Sequence, residues 1–439
     1  MSIFHAYDVR GIYPREINER IAYKIAQAFI AYTKAKLVVI GRDARSSSLS
    51  LSEAITNGLR HSGASVIDLG LCSTPYFYYA INHLGFKAGI MVTASHDPKD
   101  YNGMKFCRKE AIPIGGKELK KIEKLMDRKY RLKCLGHYAK IDLTNEYLNH
   151  VLKFGKVSRR LKVVVDAGNG STGKILTHLF SMLKNIKATK LFFSPNGRFP
   201  NHGPDPSKEE NLVSLKREVK KRKADLGVAF DNDGDRVIFI DEKSNKVPPY
   251  VITAIIAEKF LKENLGGKIL FDIRSSKIVS EVIKTHDGIP IISRVGHSFI
   301  KKTMRKLGIL FGGELSGHYY YQDNYYADSG LITMMIIFDI LSNTKKRFSD
   351  IVKIYDKYFN SGELNFKVGD RKSAITEIRA AFPNGKRTTI DGLRVDYPDF
   401  WFSVRESHTE PMLRVNIEAN SKERLEEVRK KIESIISRI

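Results

Sequence analysis

Along this 439-residue chain, short apolar runs keep ending in loops rich in Ser, His, Asp, Asn and Gly, and most of those loops lead into a helical pattern. A chain with this alternation builds βαβ units, because strands of one parallel sheet need a crossover and a helix is the usual one. The same alternation gathers polar side chains at the carboxyl ends of strands, where open α/β sheets hold ligands. Gly89 to Val92 is such a run, and Thr93-Ala94-Ser95-His96-Asp97-Pro98 follows it, continuing to Asn102-Gly103-Met104-Lys105. Ser95 is then a hydroxyl at a strand tip, with His96 and Lys105 as cationic or proton-carrying neighbours. Asp-Pro and Asn-Gly are also turn dipeptides in any protein.

The pattern restarts along the chain. Residues 1–150 read as strand Lys36–Ile40, helix Leu49–Ser62, strand Val66–Leu69 and the strand before Ser95. Residues 151–247 read as strand Leu161–Asp166, a helix after Lys174, a helix from Ser207 through Lys223, and strands Asp225–Phe230 and Val237–Ile240. Residues 248–362 read as helix Tyr250–Asn264, strands Lys268–Phe271, Ile289–Ile292 and Ile309–Phe311, and a buried helix Asp328–Leu341. From residue 363 the character changes. Strands at Arg394–Asp396, Phe400–Val404 and Met412–Glu418 lie close together, before a helix capped by Ser421 with Leu425, Val428, Ile432, Ile435 and Ile436 on one face. The expected architecture is therefore α/β: three mixed α/β domains (1–150, 151–247, 248–362) around a central cleft, plus a smaller C-terminal α+β domain (363–439).

Charge is the strongest compositional signal. Lys and Arg exceed Asp and Glu by 25, a balance that first suggests nucleic acid. The basic residues are spread, however, over Lys117–Lys133, Lys216–Lys223, Lys301–Lys306 and Lys422–Arg438, each read as the solvent face of a helix. No zinc-finger spacing, aromatic RNA-binding pattern or basic zipper accompanies them, so a nucleic-acid partner is the distant alternative. Cys72, Cys107 and Cys134 are far apart, which argues for a reducing compartment. The N-terminal stretch lacks an apolar signal region, and the longest apolar run, Leu331 to Phe338, is too short to span a bilayer. A cytoplasmic protein with no membrane partner is expected.

Four further loops carry chemistry. Asp231, Asp233 and Asp235, at i, i+2 and i+4 in Asp-Asn-Asp-Gly-Asp-Arg, offer hard oxygen ligands that suit Mg²⁺. They also match part of a calcium-binding EF-hand loop, but Arg236 stands where its turn glycine belongs. Gly168, Gly170 and Gly173 satisfy the dinucleotide fingerprint without its acidic partner, and Lys174-Ile175 lacks the hydroxyl of a P-loop. A tight strand-to-helix turn explains those glycines as well. Glu314, Ser316 and His318 alternate, so an extended backbone would point all three the same way, toward vicinal hydroxyls. Arg405, Ser407, His408 and Thr409 combine a guanidinium, two hydroxyls and an imidazole, which fits a phosphate.

Together these motifs make the sequence resemble the α-D-phosphohexomutase family, in its phosphomannomutase/phosphoglucomutase branch, over nearly the whole chain. Thr93 to Pro98 is similar to its phosphoserine loop, Asp231 to Arg236 to its metal loop, Gly313 to His318 to its sugar-recognition loop, and Arg405 to Pro411 to its phosphate loop. The family has three related α/β domains and a smaller fourth. The resemblance implies a phosphorylated Ser95 and one Mg²⁺ per chain, held by Ser95, Asp231, Asp233 and Asp235. It implies His96 and Arg236 beside the transferring phosphate, and Lys105 and His318 as acid/base candidates with Arg10 assisting. Tyr7, Arg274, His297, Glu314, Ser316, His318, Arg405, Ser407, His408 and Thr409 would bind substrate.

The implied reaction interconverts hexose 1-phosphates and 6-phosphates of mannose or glucose through a hexose 1,6-bisphosphate, which is also the activator. The implied partners are small sugar phosphates, and the implied assembly a monomer or weak dimer. Phosphoglucosamine mutases are the enzymatic alternative; they usually carry Gln where Leu315 stands. Departures are His408 for Asn or Gly, Asp97 for Asn, His5 for Arg, and Arg274 for the lysine of some members.

Overall fold

The structure, a computed structural model, describes residues 3–131, 134–406 and 412–439. They form two compact units: residues 1–249, 296–311 and 316–351 make the first, and residues 250–295, 312–315 and 352–439 the second.

Two sheets lie wholly within the first unit. In one, the order is Val9–Ile12, Tyr101–Arg108, Ala88–Val92, Leu37–Arg42, Ser65–Leu71, Tyr138–Lys140. Ala88–Val92 is parallel to Leu37–Arg42, which is parallel to Ser65–Leu71. Tyr101–Arg108 runs antiparallel to both Ala88–Val92 and Val9–Ile12. Every residue of Ala88–Val92 is buried, as expected of an apolar run covered on both faces. Helices Glu19–Thr33 and Ser48–His61 pack on this sheet through Ala22, Ile25, Phe29, Leu51, Ile55 and Leu59. They approach closely at Gly58, where a Cβ would stand 2.5 Å from the Tyr23 carbonyl oxygen. Tyr101–Arg108 is the strand that sequence reading left inside the polar loop after Ser95; Asn102 and Lys105 mask its apolar partners Met104 and Phe106.

The second sheet has the order Lys246–Val247, Val237–Asp241, Leu226–Phe230, Leu161–Asp166, Ile186–Leu191. Leu161–Asp166 and Leu226–Phe230 are parallel and almost wholly buried. Leu226–Phe230 then reverses into Val237–Asp241, with Phe230 opposite Val237. The aspartate loop is therefore a hairpin connection. The helix expected from Ser207 through Lys223 is instead a 3₁₀ turn, Glu209–Leu212, followed by helix Val213–Arg222. The pattern over-extended it because the Asp205 carboxylate caps Ser207 and starts a turn there, not a helix.

Two further expectations are corrected in this unit. Lys301 does not belong to a solvent face. Helix His297–Leu307 buries Ile300, Lys301 and Met304 along one side, and Lys301 is fully enclosed. Burial is tolerated because Asp328 lies beside it, 2.6 Å from Nζ. Nor is Glu314–His318 extended. The chain turns at Leu315 and Ser316, and Gly317 has φ +86°, so the three side chains do not share one row. Glu314 falls in the second unit, while Ser316 and His318 fall in the first. Helix Gly330–Ser342, capped by the Ser329 hydroxyl, is buried on nearly all sides, which explains its continuous apolar run.

In the second unit, Lys268–Asp272 and Ile289–Ser293 pair in parallel. A separate antiparallel sheet has the order Phe359–Lys367, Met412–Ala419, Phe400–Glu406, Leu393–Asp396, Lys386–Thr388. Helices Arg371–Ala381 and Lys422–Ile436 cover one face through Ala374, Ile378, Val428 and Ile432. The Ser421 hydroxyl accepts from Arg424 N at 3.2 Å, capping the last helix as its sequence predicts. Among the described residues no helix is long and apolar enough to cross a membrane.

Candidate active site

Ser95 sits where Ala88–Val92 ends, in left-handed backbone (φ +49°) that a serine adopts only under constraint. The constraint is visible. Arg45, itself buried, donates to the carbonyls of Ser95 (2.8 Å), Asp97 (2.5 Å), Pro98 (2.6 Å) and Tyr101 (2.9 Å). Thr93 Oγ1 accepts from Ser95 N at 2.8 Å. One guanidinium thus ties four carbonyls of the loop together. Ser95 Oγ donates to Asp231 Oδ2 at 3.0 Å and lies 3.3 Å from His96 Nδ1. Burial, then the charges of Arg236 and Arg10, push His96 well below its ordinary range. Arg10 is fixed between Asp8 (2.8 Å) and Asp97 (3.0 Å).

The hairpin turn brings Asp231, Asp233 and Asp235 to Ser95. Gly234 makes it possible: its φ is +73°, and a Cβ there would stand 2.2 Å from Thr172 Cγ2. All three carboxylates are buried, and their ligand oxygens lie within 4.8 Å of one another. Lys105 Nζ donates to Asp233 at 2.8 Å and Asp235 at 2.5 Å. Burial opposes the Lys105 charge, but the two carboxylates outweigh it and hold its proton more firmly than in water. Thr74 and Thr93 also donate to Asp233 Oδ2, at 2.6 and 3.2 Å.

Neutralisation is nevertheless incomplete. Burial, then Asp233 and Asp235, push the Asp231 carboxyl well above the carboxylate range. Asp233 Oδ1 is buried with no hydrogen-bond partner. Clustered carboxylates with one carboxyl pushed upward by its neighbours and one oxygen orphaned fit a hard divalent cation, which would relieve both. Arg236 Nε is likewise buried without a hydrogen bond, and the Arg236 amide donates to Asp231 Oδ1 at 3.1 Å.

His318 faces this cluster through a bridge between its backbone and that of Arg236. Its Nε2 lies 3.2 Å from Asp235 Oδ1, and its Nδ1 3.0 Å from Ser316 Oγ. Burial would raise Asp235, but Lys105 and His318 hold it well below the carboxylate range. His297 packs its ring on Tyr7 (5.9 Å between centroids) and is pushed well below its ordinary range by burial, then by Lys301, Lys105 and His318. Both its ring nitrogens are buried without hydrogen bonds.

Arg274, Glu314 and Arg405 lie in the second unit. Arg274 forms a forked pair with Asp272 (3.2 and 2.8 Å), and Asp272 also accepts from Leu315 N at 2.8 Å. Glu363 gathers three guanidiniums: Arg405 at 2.9 Å, Arg414 at 3.1 Å and Arg274 at 3.8 Å. Burial, then Arg274, hold Arg405 below the ordinary guanidinium range, the mark of cations crowded together, and Arg405 Nε is buried without a hydrogen bond. Excess positive charge of this kind suits an anion with several oxygens. Ser407, His408 and Thr409 lie outside the described residues.

Sequence reading missed Asp43, Arg45, Thr74, Asn232, Glu363 and Arg414. Asp43 accepts from Asn232 Nδ2 (2.6 Å) and Arg45 N (3.0 Å), joining the serine loop to the aspartate loop. Their signal was present: Gly41-Arg42-Asp43-Ala44-Arg45 is a polar loop at a strand end, like that of Ser95. Glu363 and Arg414 lie on paired strands, opposite Asn416 and Asn365, and meet diagonally across them, so they give no local signal.

The comparisons with known proteins agree across the chain. Family models described as phosphoglucomutase/phosphomannomutase alpha/beta/alpha domains I, II and III match residues 1–133, 145–245 and 248–358. The model of the family's C-terminal domain matches residues 363–435. A phosphomannomutase of Methanocaldococcus jannaschii is 38% identical, covering 100% of this chain and 98% of its own. A protein named phosphohexose mutases from Xanthomonas campestris is 37% identical over 97% of each. A solved phosphoglucomutase/phosphomannomutase family protein from Burkholderia thailandensis superposes with TM-score 0.92 at 32% identity, covering 99% of this chain and 96% of that one. The chain belongs to the phosphoglucomutase/phosphomannomutase family and is an isomerase of hexose phosphates.

Proposed function

We propose that this enzyme interconverts the 1- and 6-phosphates of mannose or glucose by way of a phosphoserine at Ser95 and a hexose 1,6-bisphosphate. The observation that carries the reading is the Ser95 hydroxyl 3.0 Å from Asp231, within a buried carboxylate trio in which one Asp233 oxygen has no hydrogen-bond partner. Asp231, Asp233 and Asp235 would hold one Mg²⁺, which supplies charge neutralisation at the phosphoryl oxygens. Arg236 and Arg10 add fixed positive charge, and Arg45 holds Ser95 aimed.

Lys105 is bound to two carboxylates and keeps its proton, so it acts as a charge partner. His318, with an imidazole nitrogen on the Ser316 hydroxyl, is the acid/base group toward the sugar. The phosphoryl group passes from Ser95 Oγ to the free sugar hydroxyl, whose proton goes to His318, while the Ser95 oxygen left behind takes a proton from water. After the bisphosphate reorients, its other phosphoryl group returns to Ser95, whose hydroxyl proton goes to water, and His318 returns its proton to the leaving sugar oxygen. Arg274 and Arg405 hold the phosphate that is not reacting, with Ser407, His408 and Thr409 completing that anchor. Glu314 and Ser316 bind sugar hydroxyls, and Tyr7 and His297 line the sugar site. The four family segments act as four domains with the boundaries proposed from sequence.

Intact mass of the purified enzyme, against Ser95→Ala, tests the phosphoserine: one labile phosphate is expected in the parent alone. Full turnover by Ser95→Ala without added bisphosphate would contradict it. Leu315 favours mannose and glucose phosphates over amino sugars, and a panel of mannose, glucose and glucosamine 1-phosphates decides between them.

A further inference from the structure

Arg394 is charged, buried and outside the reaction described above. It lies on strand Leu393–Asp396 of the antiparallel sheet, opposite Ser403, and Arg405 follows two residues later on the paired strand Phe400–Glu406. Its Nε and Nη2 converge on Asp396 Oδ1, at 3.0 and 2.9 Å, which leaves Nη1 for another partner. That nitrogen reaches beyond the sheet and donates to the carbonyls of Ile273 (2.7 Å) and Ser275 (3.1 Å). Arg274 stands between these two residues.

This grip is on the main chain, so it is separate from the pairing of the Arg274 side chain with Asp272. Asp272 orients the guanidinium within its own loop, whereas Arg394 fixes that loop to the sheet that carries Arg405. Arg394 is itself backed. Its guanidinium lies 3.8 Å from the centre of the Trp401 ring. Trp401 Nε1 donates to Glu418 Oε1 at 2.6 Å, and the same oxygen accepts from Lys277 N at 3.0 Å, just past Arg274 in the chain. Trp401 and Glu418 are buried, so the backing is enclosed on the sheet side.

We propose that Arg394 is a positioning residue for Arg274: by gripping the carbonyls on both sides of it, Arg394 sets the span between the Arg274 and Arg405 guanidiniums. Those two guanidiniums approach the same Glu363 carboxylate, at 3.8 and 2.9 Å. Two guanidiniums hold one anion well only when their separation matches its oxygens, so an error in the span costs affinity. Arg45 does the same for the Ser95 loop, through carbonyls and not through the functional side chain. That the anion is the non-reacting phosphate of the substrate rests on the proposed function; the span itself does not.

The test titrates inorganic phosphate calorimetrically into the parent, Arg394→Lys, Arg274→Ala and the double variant. Lysine keeps the charge but cannot hold Asp396 and both carbonyls at once; Arg394→Met would strand all three and risks unfolding the sheet. Arg394→Lys is expected to weaken phosphate about 10-fold and to raise KM for sugar phosphate by a similar factor, with kcat within about three-fold of the parent. Arg274→Ala is expected to weaken phosphate about 30-fold, the scale of a lost charge-assisted hydrogen bond. Without Arg274 there is no span to set, so adding Arg394→Lys should weaken phosphate by less than about two-fold more. An arginine that only stabilised the sheet would give losses that multiply, to about 300-fold in the double variant, and that result overturns the proposal. So does phosphate binding unchanged in Arg394→Lys or in Arg274→Ala, or a kcat that falls in Arg394→Lys with KM unchanged. A parent without mutase activity removes the proposed function, while the phosphate cycle still decides the role of Arg394.

Discussion

The Ser95 region of the first unit and the arginine cluster of the second are both buried and densely hydrogen-bonded, yet their charge is unbalanced in opposite senses. Around Ser95, three carboxylates face two cations, Arg236 and Lys105, the latter spanning two of them. Around Glu363, two carboxylates, Glu363 and the Asp272 that pairs with Arg274, face Arg274, Arg405 and Arg414. A fold gains nothing from leaving such an imbalance in a low-dielectric interior, since unpaired buried charge costs more than it returns. On the proposed function, each region has a complement of its own: a cation for the first, an anion for the second.

Removing the nucleophile should have the largest effect. Ser95→Ala is expected to lower kcat by at least about 10⁴-fold, as loss of an activated nucleophile does. The backbone should survive, because Arg45 and Thr93 hold the loop through main-chain atoms. Asp233→Asn comes next, at about 10³-fold, since it weakens the cation site and halves the pairing of Lys105. Here the two regions separate directly. Mg²⁺ should raise the melting temperature of the parent and of Arg405→Ala, but not of Asp233→Asn. Inorganic phosphate should raise that of the parent and of Asp233→Asn, but not of Arg405→Ala. A Mg²⁺ shift surviving in Asp233→Asn would break the contrast.

Arg45→Met probes why the first region is rigid. It strands the buried Asp43, 3.4 Å from the guanidinium, and frees four loop carbonyls. A loss of about 3–4 kcal/mol in urea unfolding is expected, the usual penalty for half of a buried pair. Arg405→Ala should be milder and of another kind. Losing charge-assisted hydrogen bonds worth about 1.5–3 kcal/mol raises KM by about 10- to 100-fold with a smaller change in kcat. An equal fall in kcat and kcat/KM would place Arg405 on the transition state and merge the two regions.

The same contrast explains what could be read in advance. Ser95 and the three aspartates could be singled out because they follow strand ends, where the alternation already pointed, whereas Lys105 lies within strand Tyr101–Arg108 and was singled out only for its place in the polar stretch after Ser95. The fold was legible wherever apolar period and turn residues agreed, as in Leu161–Asp166, whose bounds the structure reproduces. Lys301 was not. A lysine among lysines on an amphipathic helix carries no mark that its stem enters the interior; only Asp328, nearly thirty positions away, makes that burial affordable. Glu363 and Arg414 were hidden for the same reason, since cross-strand partners have no sequence spacing. The Glu314–His318 row failed differently. Its alternation suggested a strand, and Gly317 at φ +86° broke it.

The smallest expected effect is on pH dependence, and it too divides the regions. The second cluster is built on guanidiniums, a group that stays charged across the physiological range, and contains no imidazole among the described residues. The first unit contains an imidazole that does titrate, His202, whose Nε2 lies 3.1 Å from Asp166 Oδ2 at the end of Leu161–Asp166. Burial works against the charged ring, but the Asp166 carboxylate outweighs it and raises the His202 pKa above its ordinary 6.5. A base whose folded pKa is raised binds its proton more tightly folded than unfolded, so the stabilisation is complete below the unfolded value and is lost as pH climbs through the folded one. Urea midpoints should therefore decline from about pH 6 to pH 8 by less than about 1 kcal/mol, and His202→Gln should flatten that decline. A slope of the opposite sign, or one unchanged in His202→Gln, would mean that the ring is neutral in the folded chain and that Asp166 is satisfied by Gly168 N alone, at 2.8 Å.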